Sequence, residues 1–192
     1  MNCRFCKSEL ENVFVDLGFA PPSNSFLSVG DMKQGESHYP LKVYVCNDCK
    51  LVQLEEFKKA IDIFSDEYVY FSSMSRSWLA HSKEYTIKMM SEFGINQNSQ
   101  VIEVASNDGY LLQYFKEKGV SVLGVEPTES TAKVCREKGI ETITAFFGEK
   151  LAMDLVEQGK HTDLLLGNNV LAHVPDINDF VKGIKIILKE NG

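Results

Sequence analysis

No run of apolar residues in this 192-residue chain approaches the ~18 that span a bilayer. The opening Met1-Asn2-Cys3-Arg4 lacks the apolar core of a secretory signal. Basic residues are outnumbered, 20 Lys and Arg against 27 Asp and Glu, for a net charge of −7. That balance speaks against a protein that coats nucleic acid or anionic membrane. No internal repeat or low-complexity segment stands out. The expectation is a soluble cytoplasmic protein, with no membrane and no nucleic acid as partner, in a compartment that keeps thiols reduced. The length allows one medium domain or two small ones.

What is present is unevenly distributed. Residues 1–55 hold four of the five cysteines and three of the five prolines. Cys3-Arg4-Phe5-Cys6 and Cys46-Asn47-Asp48-Cys49 are two C-x-x-C knuckles, separated by residues 7–45. Four thiolates so spaced can close a tetrahedral zinc site, and a saturated site leaves no position open for water, which makes it structural. A module of this size is short of core, so a metal that closes its loops supplies what packing does not. Cys3, Cys6, Cys46 and Cys49 are therefore the expected zinc ligands. A thioredoxin-like redox pair would need a βαβ surround that this part of the chain lacks. Cys135, near Ala132 and Val134, reads as a small buried hydrophobe.

Residues 56–98 read as a helical linker. Trp78, Leu79, Tyr85, Met89, Met90 and Phe93 recur at rough helical spacing, and Gly94 stands where such a helix stops. From residue 99 the pattern alternates. Strands are expected at 100–105, 121–126, 140–145 and 162–167, and helices at 108–118, 129–138, 148–158 and 176–190. Gly119 and Gly139 follow lysine-bearing helix ends, as C-terminal caps do. Alternation with short loops predicts a parallel sheet covered on both faces. The fold class is α/β: a zinc-binding module at 1–55, the linker at 56–98 and a Rossmann-like domain at 99–192.

In open α/β sheets ligands gather at the carboxyl ends of strands. Glu103 lies in the first strand of this domain and is followed by Ala105-Ser106-Asn107-Asp108-Gly109. A dinucleotide fingerprint would need G-x-G-x-x-G. The single glycine makes no provision for a pyrophosphate, and Asp108 would repel one. The same features suit a cation with an amino-acid moiety, and S-adenosylmethionine fits. Asn107 and the backbone of residues 105–108 would hold its methionine part, and Glu126, ending the next strand, its ribose diol. Phe146 and Phe147 either flank the adenine or pack in the core. Asp108 either faces the ligand or serves as a charge at a helix N-terminus. After the fourth strand come Asn168, Asn169 and, four residues on, His173, which can be acid, base or donor, or merely pack its loop. His38, His81 and His161 read as surface or structural.

The residues quoted so far match a known family when read together. The Cys-x-x-Cys pairs, Leu17-Gly18, Pro22-Ser23-Asn24-Ser25-Phe26 and Leu51-Val52-Gln53-Leu54 belong to the pattern. So do Tyr68-Val69-Tyr70-Phe71-Ser72-Ser73, Glu103 to Leu112, Gly124-Val125-Glu126-Pro127 and Asn168 to Asp176. The chain resembles the sugar C-methyltransferases that act on nucleotide-linked 4-keto-deoxysugars. The resemblance implies a zinc-binding N-terminal domain, a helical link and an S-adenosylmethionine-dependent methyltransferase domain that methylates the carbon next to a ketone. It places Tyr68 and His173 at the sugar, with Tyr70 as second choice. Asn168 and Asn169, by their place after the fourth strand, are expected at the cofactor and at the substrate. On the residues alone, Tyr68 and Tyr70 read as packing between domains. The family pattern continues past Lys189-Glu190-Asn191-Gly192, and its general base, a His beside a Glu, belongs to that later part. The Rossmann-like domain is thus expected to be only the N-terminal part of the family's, and no residue of 1–192 is assigned as the base. The alternative expectation is a catalytically inactive module that binds zinc and cofactor.

Overall fold

Tyr39–Val45, rich in β-branched and aromatic residues, forms the middle strand of a three-stranded antiparallel sheet. In this computed structural model, which describes residues 1–64 and 68–192, the chain divides into two units. One comprises residues 1–63 with 175–177, the other residues 64–174 with 178–192.

The first unit carries β1 (Asn12–Ala20), β2 (Tyr39–Val45) and β3 (Val52–Leu54), in the order β1-β2-β3. Strand β1 runs from Asn12 opposite Val45 to Ala20 opposite Tyr39, with two register irregularities. The second cysteine knuckle is the turn joining β2 to β3, closed where Val45 pairs with Val52. The first knuckle sits on an equivalent antiparallel bridge between Asn2 and Glu9. The core of this unit is small: Cys3, Leu10 and Cys46 are buried, with Tyr44, Cys49 and Leu51 packed on them. The short helix α1 (Ala60–Ile63) follows.

The second unit opens with the long helix α2 (Arg76–Phe93). The Ser75 side chain accepts from Trp78 N at its start, and Gly94, at φ 66°, ends it. Four parallel strands then form a sheet ordered β6-β5-β4-β7: β4 (Gln100–Val104), β5 (Ser121–Val125), β6 (Glu141–Ile143) and β7 (Leu164–Leu166). Between them run α3 (Leu112–Glu117), α4 (Glu129–Glu137) and α5 (Glu149–Glu157), and α6 (Ile177–Ile187) comes last. Strand alternation sorts the core into two layers. Val101 joins Leu111, Phe115, Cys135 and Ile140, with Tyr85, Met89 and Met90 of α2, on one face. Ile102 and Val104 join Leu155, Phe180 and Ile187 on the other. Glu103 shares the Val101 face by the same alternation. The chain passes from β4 to β5 and β6 on one side, then crosses to β7 on the other. The reversal point between β4 and β7 is where such sheets hold ligands.

The expected α/β class and parallel sheet stand. Two local expectations do not. The helix expected from residue 108 begins at Leu112, because Asn107 (φ 49°) and Gly109 (φ 75°) are left-handed and cannot propagate a right-handed helix. The helical reading of 56–98 holds for Arg76–Phe93 and the single turn Ala60–Ile63, with 65–67 outside the described residues. Residues 68–71 run without helix, and Ser72–Met74 form one 3₁₀ turn. Their backbone is hydrogen-bonded elsewhere, as described next.

Candidate metal centre and cofactor crevice

The two knuckles share one local geometry. In each, the residue four places after the first cysteine is left-handed, Lys7 at φ 67° and Lys50 at φ 65°. In each, that residue's N–H returns to the first cysteine's carbonyl, Lys7 to Cys3 at 2.9 Å and Lys50 to Cys46 at 3.1 Å. The turns bring Cys3, Cys6, Cys46 and Cys49 together with all four sulfurs within 4.8 Å of one another. Cys3 and Cys49 lie 3.5 Å apart, and Cys6 and Cys46 3.4 Å. These spacings are near the ~3.8 Å edge of a tetrahedron with Zn–S bonds of about 2.3 Å. Gln53 fixes the cluster from outside: its amide nitrogen donates to Cys3 Sγ (3.2 Å) and its oxygen accepts from Arg4 N (2.9 Å). Burial pushes the Cys3 thiol up, but the Cys6 backbone, Gln53 and Phe5 outweigh it and draw it down to about 6. Leu51's backbone draws Cys49 down, yet burial and the three neighbouring thiols push it up to about 12. Four thiolates cannot share this space without a cation, and zinc fits the donor set.

In the second unit, the loop after β4 is built around left-handed backbone at Ala105 (φ 54°), Asn107 and Gly109. Glycine is required only at the third. A Cβ there would stand 2.8 Å from both Cys135 Sγ and Ile140 Cδ1. Asn tolerates this conformation, and its side chain is put to use. Asn107 Oδ1 accepts from Ser72 N (2.9 Å), and Nδ2 donates to the Tyr70 carbonyl (3.0 Å). Asp108 Oδ2 accepts from Ser73 N (3.2 Å). Lys138 Nζ donates to Ser73 Oγ (2.7 Å) and to the Asp108 carbonyl (2.6 Å), and pairs with Asp108 Oδ2 at 3.6 Å. Ser130 Oγ adds a bond to the Tyr68 carbonyl at 3.4 Å. The segment bearing Tyr68 and Tyr70 is thereby strapped across the loop.

Glu126 closes the crevice from β5. Its Oε2 accepts from Asn107 N (2.9 Å) and its Oε1 from Thr128 N (3.0 Å). Burial pushes its pKa up, and the Thr128 and Asn107 amides pull the other way. Glu103 is 1% exposed. Burial raises it well above the ordinary carboxylate range, partly opposed by hydrogen bonds from Tyr110 and Asn168 and reinforced by the Glu126 and Asp108 charges. Glu103 Oε2 and Asp108 Oδ1 are buried without a hydrogen-bond partner. Three carboxyl groups converge here with two unsatisfied oxygens, which is costly unless a cation or a set of donors enters. Ammonium, sulfonium and ribose hydroxyls meet that demand, so these residues fit S-adenosylmethionine.

The remaining sequence-predicted residues divide. Ser106 is buried beneath the loop. Phe147 packs edge-on against Phe180 at 5.5 Å in the core, whereas Phe146 is exposed. Tyr68 is half-buried and Tyr70 exposed. Burial, with the Glu126 charge, raises the Tyr68 phenol. Asn168 is half-buried beside Glu103, while Asn169 (φ 56°) and His173, in the turn Leu171–His173, are exposed. Sequence reasoning missed a cleft of about 40 Å³ at the switch point, lined by Trp78, His81, Ser82, Tyr85, Tyr110, Leu111 and Asn168. The signal was available, because Trp78, His81 and Tyr85 fall at i, i+3 and i+7 on one helix face.

A pH dependence follows from Glu103. Its folded pKa lies above the unfolded value near 4.5, so the stability linked to it is complete below that value and is lost as pH rises toward the folded one. In urea unfolding, the wild type should lose stability as pH rises above about 4.5, and Glu103→Gln should flatten that slope. An identical slope in the variant would show that this carboxyl does not titrate on unfolding.

Residues 76–192 match the family model described as "Methyltransferase domain", and residues 3–64 match that described as "Putative zinc binding domain". Over 190 residues the chain is 29% identical to the C-methyltransferase NovU of Streptomyces niveus, covering 99% of this chain and 45% of that protein. A ubiquinone biosynthesis O-methyltransferase of Bordetella avium is 25% identical over 147 residues, 69% of this chain and 60% of its own length. Among solved structures, one from Methanococcus maripaludis, described as a "putative s-adenosyl-l-methionine-dependent methyltransferase", shares the fold. Its TM-score is 0.53 at 14% identity, over 72% of this chain and 64% of that one. The chain spans about half the length of the curated relatives it matches. No helix among the described residues is long and apolar enough to cross a membrane.

Proposed function

Because this chain belongs to the methyltransferase-domain family, we propose that it serves an S-adenosylmethionine-dependent C-methyltransferase. The substrate we assign is a nucleotide-linked 4-keto-deoxysugar, methylated at the carbon next to its ketone. The observation that carries this reading is the match to NovU, which runs through both units in order and covers 99% of the chain. The crevice chemistry supports it. When bound, S-adenosylmethionine supplies an electrophilic methyl group on a sulfonium. Glu126, held by two backbone amides, retains lone pairs for a ribose diol. Glu103, Asp108 and the backbone of residues 105–108 face the methionine part, and Phe146 offers a ring to the adenine.

At the substrate, loss of the proton α to the ketone leaves an enolate whose carbon is the nucleophile for methylation. The developing oxyanion needs hydrogen-bond donors. Tyr68 suits that role because its raised phenol keeps its proton. His173 and Asn169, exposed after β7, hold the sugar beside it, with Tyr70 as an alternative to Tyr68. We assign the general base to no residue of this chain.

Calorimetric titration with S-adenosylhomocysteine tests the cofactor half. Binding is expected, and Glu126→Ala, which strips two backbone amides of their acceptor, should weaken it by more than about tenfold, the equivalent of one lost charged hydrogen bond. No heat at millimolar ligand would overturn the assignment. Incubation with S-adenosylmethionine and a nucleotide-linked 4-keto-deoxysugar, read by added methyl mass, tests the catalytic half. Little or no turnover is expected, and appreciable turnover would place the base within residues 1–192.

A further inference from the structure

The strap of residues 68–73 is held largely from outside itself. Val69 and Tyr70 are exposed, so apolar packing contributes little to its position. Side-chain bonds fix it instead, from Asn107 to Ser72 N and the Tyr70 carbonyl, from Asp108 to Ser73 N, from Lys138 to Ser73 Oγ and from Ser130 to the Tyr68 carbonyl. Two of these residues also belong to the cofactor crevice by a second bond. Asn107 commits both polar atoms of its side chain to the strap, while its backbone N–H donates to Glu126 Oε2 at 2.9 Å. Lys138 follows α4, and its one ammonium serves Ser73 Oγ, the Asp108 carbonyl and the Asp108 carboxylate together. The Asn107 side chain, expected from sequence at the cofactor, is thus taken up by backbone 35 and 37 residues upstream.

The loop that carries Asn107 does not hold its shape unaided. Ala105 and Asn107 are both left-handed, at φ 54° and 49°, a conformation that costs free energy in any residue but glycine. It persists because the strap holds the loop from one side and Glu126 from the other. A ligand that hydrogen-bonds Glu126 or the loop backbone adds a third hold. It makes rarer the excursions that release the Asn107 side chain, and the strap then opens less often. Tyr68 rides on this strap, its phenol close enough to Glu126 for that charge to act on it.

We propose that Asn107 and Lys138 are positioning residues that couple the two halves of the site: cofactor on the loop tightens the strap and sets the Tyr68 phenol at the sugar. The proposal rests on the methyltransferase reading above. It makes the oxyanion donor available when the methyl donor is in place, so that an enolate is not stabilised in its absence. Coupling is reciprocal: whatever factor the cofactor adds to docking of the strap, the docked strap adds to cofactor affinity.

The test is residue-resolved hydrogen exchange on the whole chain, with and without S-adenosylhomocysteine, alongside calorimetry. The amides of Ser72 and Ser73 report local release of the strap. In the wild type, saturating ligand should slow their exchange about tenfold. Asn107→Gly keeps the left-handed turn, which glycine adopts freely, and removes only the side chain. Its Ser72 amide should exchange fast in both states, and its affinity for the ligand should fall by about the same tenfold factor. In Lys138→Met the gain at Ser73 should shrink to within about twofold. A merely structural lysine would instead lower protection throughout the unit and leave that gain intact, which overturns its assignment. Circular dichroism reports whether each variant is folded, and if Asn107→Gly is not, Lys138→Met carries the test. Ligand binding that leaves Ser72 and Ser73 unchanged in the wild type overturns the proposal and spares the methyltransferase reading. A loss of affinity in Asn107→Gly far beyond the wild-type gain overturns it too, by placing the side chain on the ligand. No binding of ligand to the wild type overturns both.

Discussion

Replacing Cys46 by serine, or stripping the chain of metal with a chelator, should unfold the three-stranded sheet of residues 12–54. The core of that unit consists of Cys3, Leu10 and Cys46, with little besides Tyr44, Cys49 and Leu51 around them, so the ligands themselves are much of the core. Structural zinc contributes on the order of 10 kcal/mol to small domains of this kind, more than a hydrophobic cluster of this size supplies. Without the ion, the four sulfurs, all within 4.8 Å of one another, lose their reason to converge. Elemental analysis should return about one zinc per wild-type chain and much less for Cys46→Ser. Residue-resolved hydrogen exchange should show the amides of Val43, Tyr44 and Val45, which pair with β3, losing protection in the metal-free chain. Strands that keep their protection without metal would refute the structural role.

Gly109→Ala is the second large effect. The residue is left-handed at φ 75°, and an added methyl would meet Cys135 Sγ and Ile140 Cδ1, each at 2.8 Å. Both neighbours are fully buried and cannot withdraw. The backbone term costs about 1 kcal/mol and the overpacking about 1–3 kcal/mol. A total of about 2–4 kcal/mol corresponds to a fall in Tm of roughly 10 °C for a unit of this size. Relief should come from the neighbour: Gly109→Ala with Cys135→Ala removes the sulfur and should regain about 1 kcal/mol beyond additivity. Strict additivity of the two changes would mean that the clash is absorbed elsewhere. Cofactor affinity should fall along with stability, since Gly109 N closes the loop on Ser106 O at 3.0 Å.

Much of this was legible in the residues because the deciding interactions are local. A C-x-x-C knuckle is a turn of fixed geometry, so spacing alone brought Cys3, Cys6, Cys46 and Cys49 under suspicion. The length of chain between the knuckles is accounted for by the β1–β2 pair it contains. The alternation of strands and helices after residue 99 follows from periods that a short window contains. The position of residues 70–73 does not, because it depends on side-chain-to-backbone bonds from Asn107 and Asp108, more than thirty residues away. The same bonds explain why the loop carries Asn and Asp where a dinucleotide fold has glycine: here the side chains are needed. Phe146 and Phe147 were indistinguishable in sequence, and only the packing of α6 takes one into the core. Trp78 was read correctly as helical, but His81 was set aside because a lone polar residue on a helix says nothing until its neighbours are placed.

The dipeptide Asp108-Gly109 has a further consequence, in how the molecule ages. In a mobile chain an aspartyl–glycyl bond is a chemical weak point. The glycine nitrogen attacks the aspartyl side chain, a succinimide closes, and reopening leaves isoaspartate with an extra carbon in the backbone. Here the glycine N–H is committed to Ser106 O, and the aspartyl carboxyl accepts from Ser73 N, so both partners of that attack are tied to other groups. The folded loop therefore restrains this reaction. Damage at this position should accumulate in molecules that have opened, and each damaged loop would lack the turn needed to close again.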